Sequence, residues 1–168
     1  RAKYQVPAAT KPNFFANQVR NQAFFRAQPE AVLASDVDAV AVAVGLPADV
    51  IRAAKARGKQ TFALIGAVRH VAAARAAGVD VLVVQGYDAG GHTGPVGTFT
   101  LVPQVIEAAD GIPVLAAGGV GCGRQIAAAL AMGAEGVWLG TAWLATREYG
   151  TPPMLLKISI TLPKDASS

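Results

Sequence analysis

The chain has 168 residues, enough for one domain with a sizeable core, and its 52% hydrophobic content with mean hydropathy +0.37 suits a buried parallel sheet. The net charge of +4 comes from dispersed Lys and Arg, with no basic run and no interleaved aromatic stripe, so nothing points to a nucleic-acid partner. One cysteine, Cys122, excludes an internal disulfide and any multi-cysteine metal site, and no apolar run reaches the roughly 20 residues that span a bilayer; the expectation is a cytoplasmic protein without a membrane partner.

Residues 1–37 carry Phe14-Phe15 and Phe24-Phe25 among scattered amides, with no strand-helix cadence. They read as an N-terminal remnant, a piece of strand plus a helix, leading into the regular part of the chain. From Asp38 onward short β-branched runs alternate with alanine-rich stretches, the pattern of βαβ units around a parallel sheet. Strands are predicted at 39–44, 60–65, 79–84, 113–116 and 136–139, and helices at 48–57, 68–77, 101–109 and 124–132. Gly58, Gly78 and Gly133 stand where helix C-terminal caps belong. A weak repeat supports the parsing, since Ala74-Arg75-Ala76-Ala77-Gly78-Val79-Asp80 parallels Ala129-Leu130-Ala131-Met132-Gly133-Ala134-Glu135. The unit runs over 38–156, and 157–168 form an atypical tail in which Lys157 to Pro163 alternate like a strand, as a truncated or altered C-terminus would.

The chemistry gathers at strand ends. Gln85 to Gly94, reading QGYDAGGHTG, follows the third predicted strand; glycines at 86, 90, 91 and 94 let the backbone turn sharply and approach a planar ligand. His92 brings the side chain that best exchanges protons near neutral pH. That combination reads as chemistry rather than as a turn carrying a solvated histidine. Gly118 to Gly123 join the fourth strand to a helix and expose backbone N–H groups beside a positive helix end, which fits a phosphate or simply a tight turn. Gly140 and Thr141 offer a second such loop after the next strand, with Thr141 able to cap the succeeding helix, and two loops on adjacent strands make a phosphate clamp the better reading.

Other residues are weaker candidates. Asp88 either orients His92 or forms the turn, and stays outside the catalytic set. Cys122 reads as an incidental thiol, His70 as a solvated residue of the outer surface, and Trp138 and Trp143 as packing residues.

QGYDAGGHTG is similar to the AQGxEAGGHxG signature of nitronate monooxygenases, formerly 2-nitropropane dioxygenases, and of the related FMN-dependent enoyl-acyl-carrier-protein reductases. Further matches in order are Leu101-Val102-Pro103-Gln104-Val105, Ala116-Ala117-Gly118-Gly119-Val120 and Gly136-Val137-Trp138-Leu139-Gly140-Thr141-Ala142, so the resemblance covers about Asp38 to Tyr149. It implies an α/β fold of the (β/α)8 TIM-barrel type. A complete barrel takes about 250 residues, so an incomplete one with about five βα units is expected, its two phosphate loops following the last two strands. It implies FMN as cofactor, needing no metal, with contacts at Gln85, Gly90, Gly119, Trp138, Leu139, Gly140 and Thr141, Gly118 lying in the same phosphate loop, and an N-terminal asparagine, Asn13 or Asn17. Gln85, by composition alone, is equally a strand-end amide bonded to nearby backbone. The implied reaction oxidises an alkyl nitronate with O2 to a carbonyl compound and nitrite, with His92 as the catalytic base that takes an α-proton from a neutral nitroalkane or holds the nitronate. Two rivals stand beside it, a flavin enoyl reductase that takes hydride from a nicotinamide and an inactive barrel fragment.

Overall fold

The computed structural model describes residues 22–43 and 45–146, beginning with helix α1, Gln22–Ala34. Strand β1 (Ala39–Val42), helix α2 (Ala48–Lys55), strand β2 (Gln60–Ile65), helix α3 (His70–Ala77) and strand β3 (Val81–Gln85) come next. Helix α4 (Thr98–Ala109), strand β4 (Val114–Ala117), helix α5 (Gly123–Ala131), strand β5 (Gly136–Trp138) and a 3-10 turn (Thr141–Ala145) complete the described chain. The five strands are parallel and hydrogen-bonded in sequence order, β1-β2-β3-β4-β5. Sequential order with a helix between each pair is the winding of a (β/α) barrel, whereas a doubly wound sheet reverses at a switch point.

Strand alternation separates two faces. Ala63, Ile65, Leu82, Val84, Val114 and Ala116 pack against Ile51, Val71, Ala74, Leu101, Val102, Val105 and Ala129 of the helices, and this layer is the core. Phe62, Leu64, Val83, Gln85, Ala117 and Trp138 project from the other face. Phe62 on β2 and Trp138 on β5 bring their ring centroids within 6.0 Å. Three strand spacings on a flat sheet separate their backbones by about 14 Å, so the sheet is curved with this face inward, as part of a barrel wall is.

The αβ turns repeat one geometry. Gly58, Gly78 and Gly133 take positive φ (73°, 77° and 95°). The next N–H in each turn, from Lys59, Val79 and Ala134, donates back to Ala54, Ala74 and Ala129 at 3.1 Å, which is the Schellman closure that satisfies an orphan helix carbonyl. The sequence repeat between 74–80 and 129–135 is therefore this shared turn, and Lys59 is a third copy that the sequence comparison misses.

Elements depart from the predicted bounds for local reasons. β3 begins two residues late because Val79 and Asp80 are taken by the preceding turn, and β4 begins after Pro113, which has no N–H and only accepts from Leu82 at 2.9 Å. α3 starts at His70 rather than 68 and leaves that side chain half-buried, correcting its reading as solvated. Val44, Asn13, Asn17, Phe14, Phe15 and the tail 157–168 lie outside the described residues.

The end of the sheet opposite the signature loop is held by polar contacts. Asp80 accepts from the Thr61 N–H at 2.9 Å and hydroxyl at 2.7 Å and pairs with the Lys55 ammonium. Partial burial raises the Asp80 carboxyl, but the bonds from Lys55 and Thr61 outweigh it and hold the group below its ordinary value of 3.8. Asp80→Ala leaves the buried Thr61 donors without an acceptor, an expected loss of about 1–3 kcal/mol in urea unfolding. The carboxylate's share is complete above the unfolded value of 3.8 and is lost as pH falls through the lowered folded value, so the gap between wild type and variant narrows in strong acid.

Candidate active site

A cleft of about 740 Å³ lies on the inward face at the C-terminal ends of the strands, within the range of small-molecule and cofactor sites. Gln85, Gly90, Gly118, Gly119, Trp138, Leu139, Gly140 and Thr141 all line it, together with Leu64, Asp88, Gly91 and Val120. Gln85 and Trp138 arrive as the last residues of β3 and β5, and Ala117, the last residue of β4, stands between them. Thus the signature loop and both glycine loops meet at one end of the sheet. Among the described residues, the N–H groups of Gly119, Val120 and Gly140 donate to no protein acceptor. They are free to meet solvent or a bound group.

His92 sits differently. It follows the cleft-lining Gly90 and Gly91 but is itself exposed and lies outside the lining, at the tip of a loop closed at its base by the Tyr87 N–H donating to Val96 at 2.8 Å. The imidazole is a rim residue in this conformation.

Asp88, a candidate partner for His92 on sequence grounds, turns the other way. Its Oδ2 accepts from the Thr98 N–H at 2.7 Å, satisfying the first orphan donor of α4, and that bond holds the carboxyl below its ordinary value. The cap explains why α4 starts at Thr98 rather than at 101: its stabilising group comes from ten positions upstream.

Two of the signature glycines, Gly86 and Gly94, have a reason that the sequence does not suggest. None of Gly86, Gly90, Gly91 and Gly94 has a positive φ. At Gly86 and Gly94 the space is already taken: a Cβ on Gly86 meets Thr98 N and Oγ1 at 2.3 Å, and one on Gly94 meets Gly66 O at 2.5 Å, whereas the nearest atom to a Cβ on Gly91, Gln85 Nε2, lies at an ordinary 3.7 Å. Gly118 and Gly119 do need left-handed backbone (φ 103° and 72°), and a Cβ on them meets Thr98 Oγ1 at 2.8 Å and Asp88 Cβ at 2.9 Å respectively. Substituting Gly119 therefore disturbs the fold before it reports on any ligand.

Thr141 is the first residue of the 3-10 turn rather than its cap, which is Gly140; its Oγ1 instead faces Gly90, whose Cβ position is 3.0 Å away. Trp138 packs on Phe62, while Trp143 is 59% exposed and packs less than expected. Cys122 is the exposed N-cap of α5, and the Gln125 N–H beside its sulfur holds the thiol below its ordinary value. Sequence reasoning missed Gln125 altogether. Its carboxamide Oε1 accepts from Gly121 N–H at 2.8 Å and Cys122 N–H at 3.1 Å, and Nε2 donates to Gly119 O at 2.6 Å. The signal was present: a glutamine three residues after an N-cap is the second half of a capping box.

The sequence profile described as nitronate monooxygenase matches residues 3–166. The chain belongs to the nitronate monooxygenase family. It is 50% identical over 127 residues to a Mycobacterium tuberculosis protein classed among the monooxygenases, a match covering 75% of this chain and 34% of that one. It is 48% identical over 104 residues to an octahydroindene-carboxyl-CoA dehydrogenase of Rhodococcus jostii, covering 62% and 29%. The crystal structure of a nitroalkane oxidase from Streptomyces ansochromogenes superposes with TM-score 0.70 at 39% identity, covering 74% of this chain and 39% of that one. This nitronate monooxygenase-family chain thus spans well under half the length of each of these three relatives. Among its described residues, no helix is long and apolar enough to cross a membrane.

Proposed function

We propose that this chain carries the FMN-binding half of an oxidoreductase that converts alkyl nitronates and O2 to carbonyl compounds and nitrite. One observation carries the reading: two glycine loops with unpartnered N–H groups and the histidine-bearing loop converge on a single cleft large enough for a nucleotide-sized ligand. The residues present fit FMN. Gly119, Val120, Gly140 and Thr141 would hold its phosphate, Gln85 would donate or accept at the polar ring edge, and Gly90 and Gly91 would leave room for a flat ring. FMN, when bound, supplies the redox chemistry between the organic substrate and O2. His92, near the cleft mouth, would take the α-proton of a neutral nitroalkane onto a ring nitrogen and pass it to solvent, which its exposure allows. Gly86, Gly94, Asp88 and Thr98 hold the loop that carries it. We place the protein in the cytoplasm, with a nitronate or nitroalkane and O2 as its small-molecule partners.

Titration of the purified chain with FMN is expected to shift and sharpen the flavin absorbance bands and quench free-flavin fluorescence, and added nitronate in air is expected to release nitrite. A chain that leaves FMN fluorescence unchanged at high concentration would end the flavin reading. A second substrate class is favoured by the 48%-identical relative, whose name is that of a carboxyl-CoA dehydrogenase. Under that reading the electron donor would be a CoA thioester, or NADH or NADPH, rather than a nitronate, and anaerobic bleaching of added FMN by each in turn separates the cases.

A further inference from the structure

The loop between β4 and α5 carries several backbone donors, and one side chain decides which of them are free. Gln125 Oε1 already occupies the N–H groups of Gly121 and Cys122. Those two lie at the α5 N-terminus, the place where a phosphate would otherwise be expected. Its Nε2 meanwhile takes the Gly119 carbonyl at 2.6 Å. The orientation of the amide follows from these partners, since two donors meet the oxygen and one acceptor meets the nitrogen. A trans peptide is planar with its C=O and N–H antiparallel, so fixing the Gly119 carbonyl toward Gln125 turns the Val120 N–H the opposite way. That N–H and the one of Gly119 are left without protein acceptors, and both residues line the cleft.

We propose that Gln125 is a positioning residue for the anion end of the cleft: it fills the helix end with its own carboxamide and locks the 119–120 peptide, so that the phosphate of the bound nucleotide is received between Gly119-Val120 and Gly140-Thr141. Gln125 does not touch the reacting atoms. This role rests on the proposed flavin site and adds to it the side chain that keeps those donors turned to the cleft. It also sets a charge rule, because a carboxylate at this position accepts from the same two N–H groups but cannot donate to Gly119 O, and it places a negative charge next to the incoming dianion.

The test compares FMN with riboflavin, which has the same ring and no phosphate, by fluorescence quenching on the wild-type chain and on Gln125→Glu. Glutamate keeps both capping-box acceptances and suits the first turn of α5, which offsets the lost bond to Gly119 O, so the variant is expected to fold and to melt close to wild type. Its FMN affinity is expected to fall by about tenfold or more while its riboflavin affinity changes by less than about twofold. A second variant, Gln125→Ala, removes the lock without adding charge, and its FMN preference over riboflavin is expected to shrink as well. Equal losses for both flavins, or no loss of FMN in either variant, would overturn the positioning role and leave Gln125 as a helix cap. Wild type binding FMN no better than riboflavin would overturn it too, with the flavin site intact. Wild type binding neither flavin would instead bring down the flavin reading itself, and the role of Gln125 with it.

Discussion

His92→Asn is expected to slow the turnover of neutral nitroalkanes by about 10²- to 10⁴-fold, the usual worth of a general base, and to slow preformed nitronates far less. Only the neutral substrate has a carbon-bound proton to lose, and asparagine is close to the imidazole in size without being able to accept that proton. The comparison is nitrite release from the two forms of one substrate under matched conditions. Equal losses on both would mean that the imidazole holds the nitronate anion. Unchanged rates on both would mean that His92 is the solvated rim residue that its exposure alone suggests. The loop holding it is fixed at its base and at Gly94 against Gly66, whereas the tip from Gly90 to Thr93 is exposed apart from its approach to Thr141. A base at such a tip would meet substrate at the cleft mouth.

Gly86→Ala is expected to be the most damaging glycine-to-alanine change among the described residues, costing about 3 kcal/mol or more and lowering the melting temperature by on the order of 10 °C. Gly86 is buried, and the added carbon falls 2.3 Å from both the backbone nitrogen and the hydroxyl oxygen of Thr98 and 2.4 Å from its Cα. Backbone atoms at the capped start of α4 cannot step aside as a long side-chain tip can. Their displacement breaks the Asp88 cap and the Thr98 hydroxyl contact to Ala117 O at 3.3 Å, so the signature loop and the end of β4 loosen together. Gly123→Ala is the control, because no atom lies within 4 Å of its Cβ position and alanine favours the helix it starts. Thermal denaturation of the two variants checks the contrast. A drop for Gly86→Ala no larger than for Gly123→Ala would mean that the loop reseats around the methyl.

What the sequence determines by itself is periodic and local. Apolar runs bounded by Gly58, Gly78 and Gly133 locate five strands and their helices to within a few residues, because a Schellman turn needs a left-handed residue at a definite place after each helix. The order of strand, loop and helix also puts Gln85, Gly118, Gly119, Gly140 and Thr141 at strand C-termini, and a parallel sheet brings all such ends to one edge. Tertiary structure decides what depends on approach between segments distant in sequence. Asp88 reads as a possible partner of His92 until Thr98 is brought beneath it, and then it caps α4 and draws that helix's start forward to Thr98. The signature glycines read as turn formers, yet at Gly86 and Gly94 the cause is another backbone within van der Waals reach. Gln125 has a capping-box position that the sequence could have flagged, but its bond to Gly119 O, which ties the cap to the loop facing the cleft, comes from the fold. The physical difference is range: a backbone dihedral or a strand's alternation is fixed by neighbours in the chain, whereas a cap, a clash or a shared donor exists only after the chain has closed on itself.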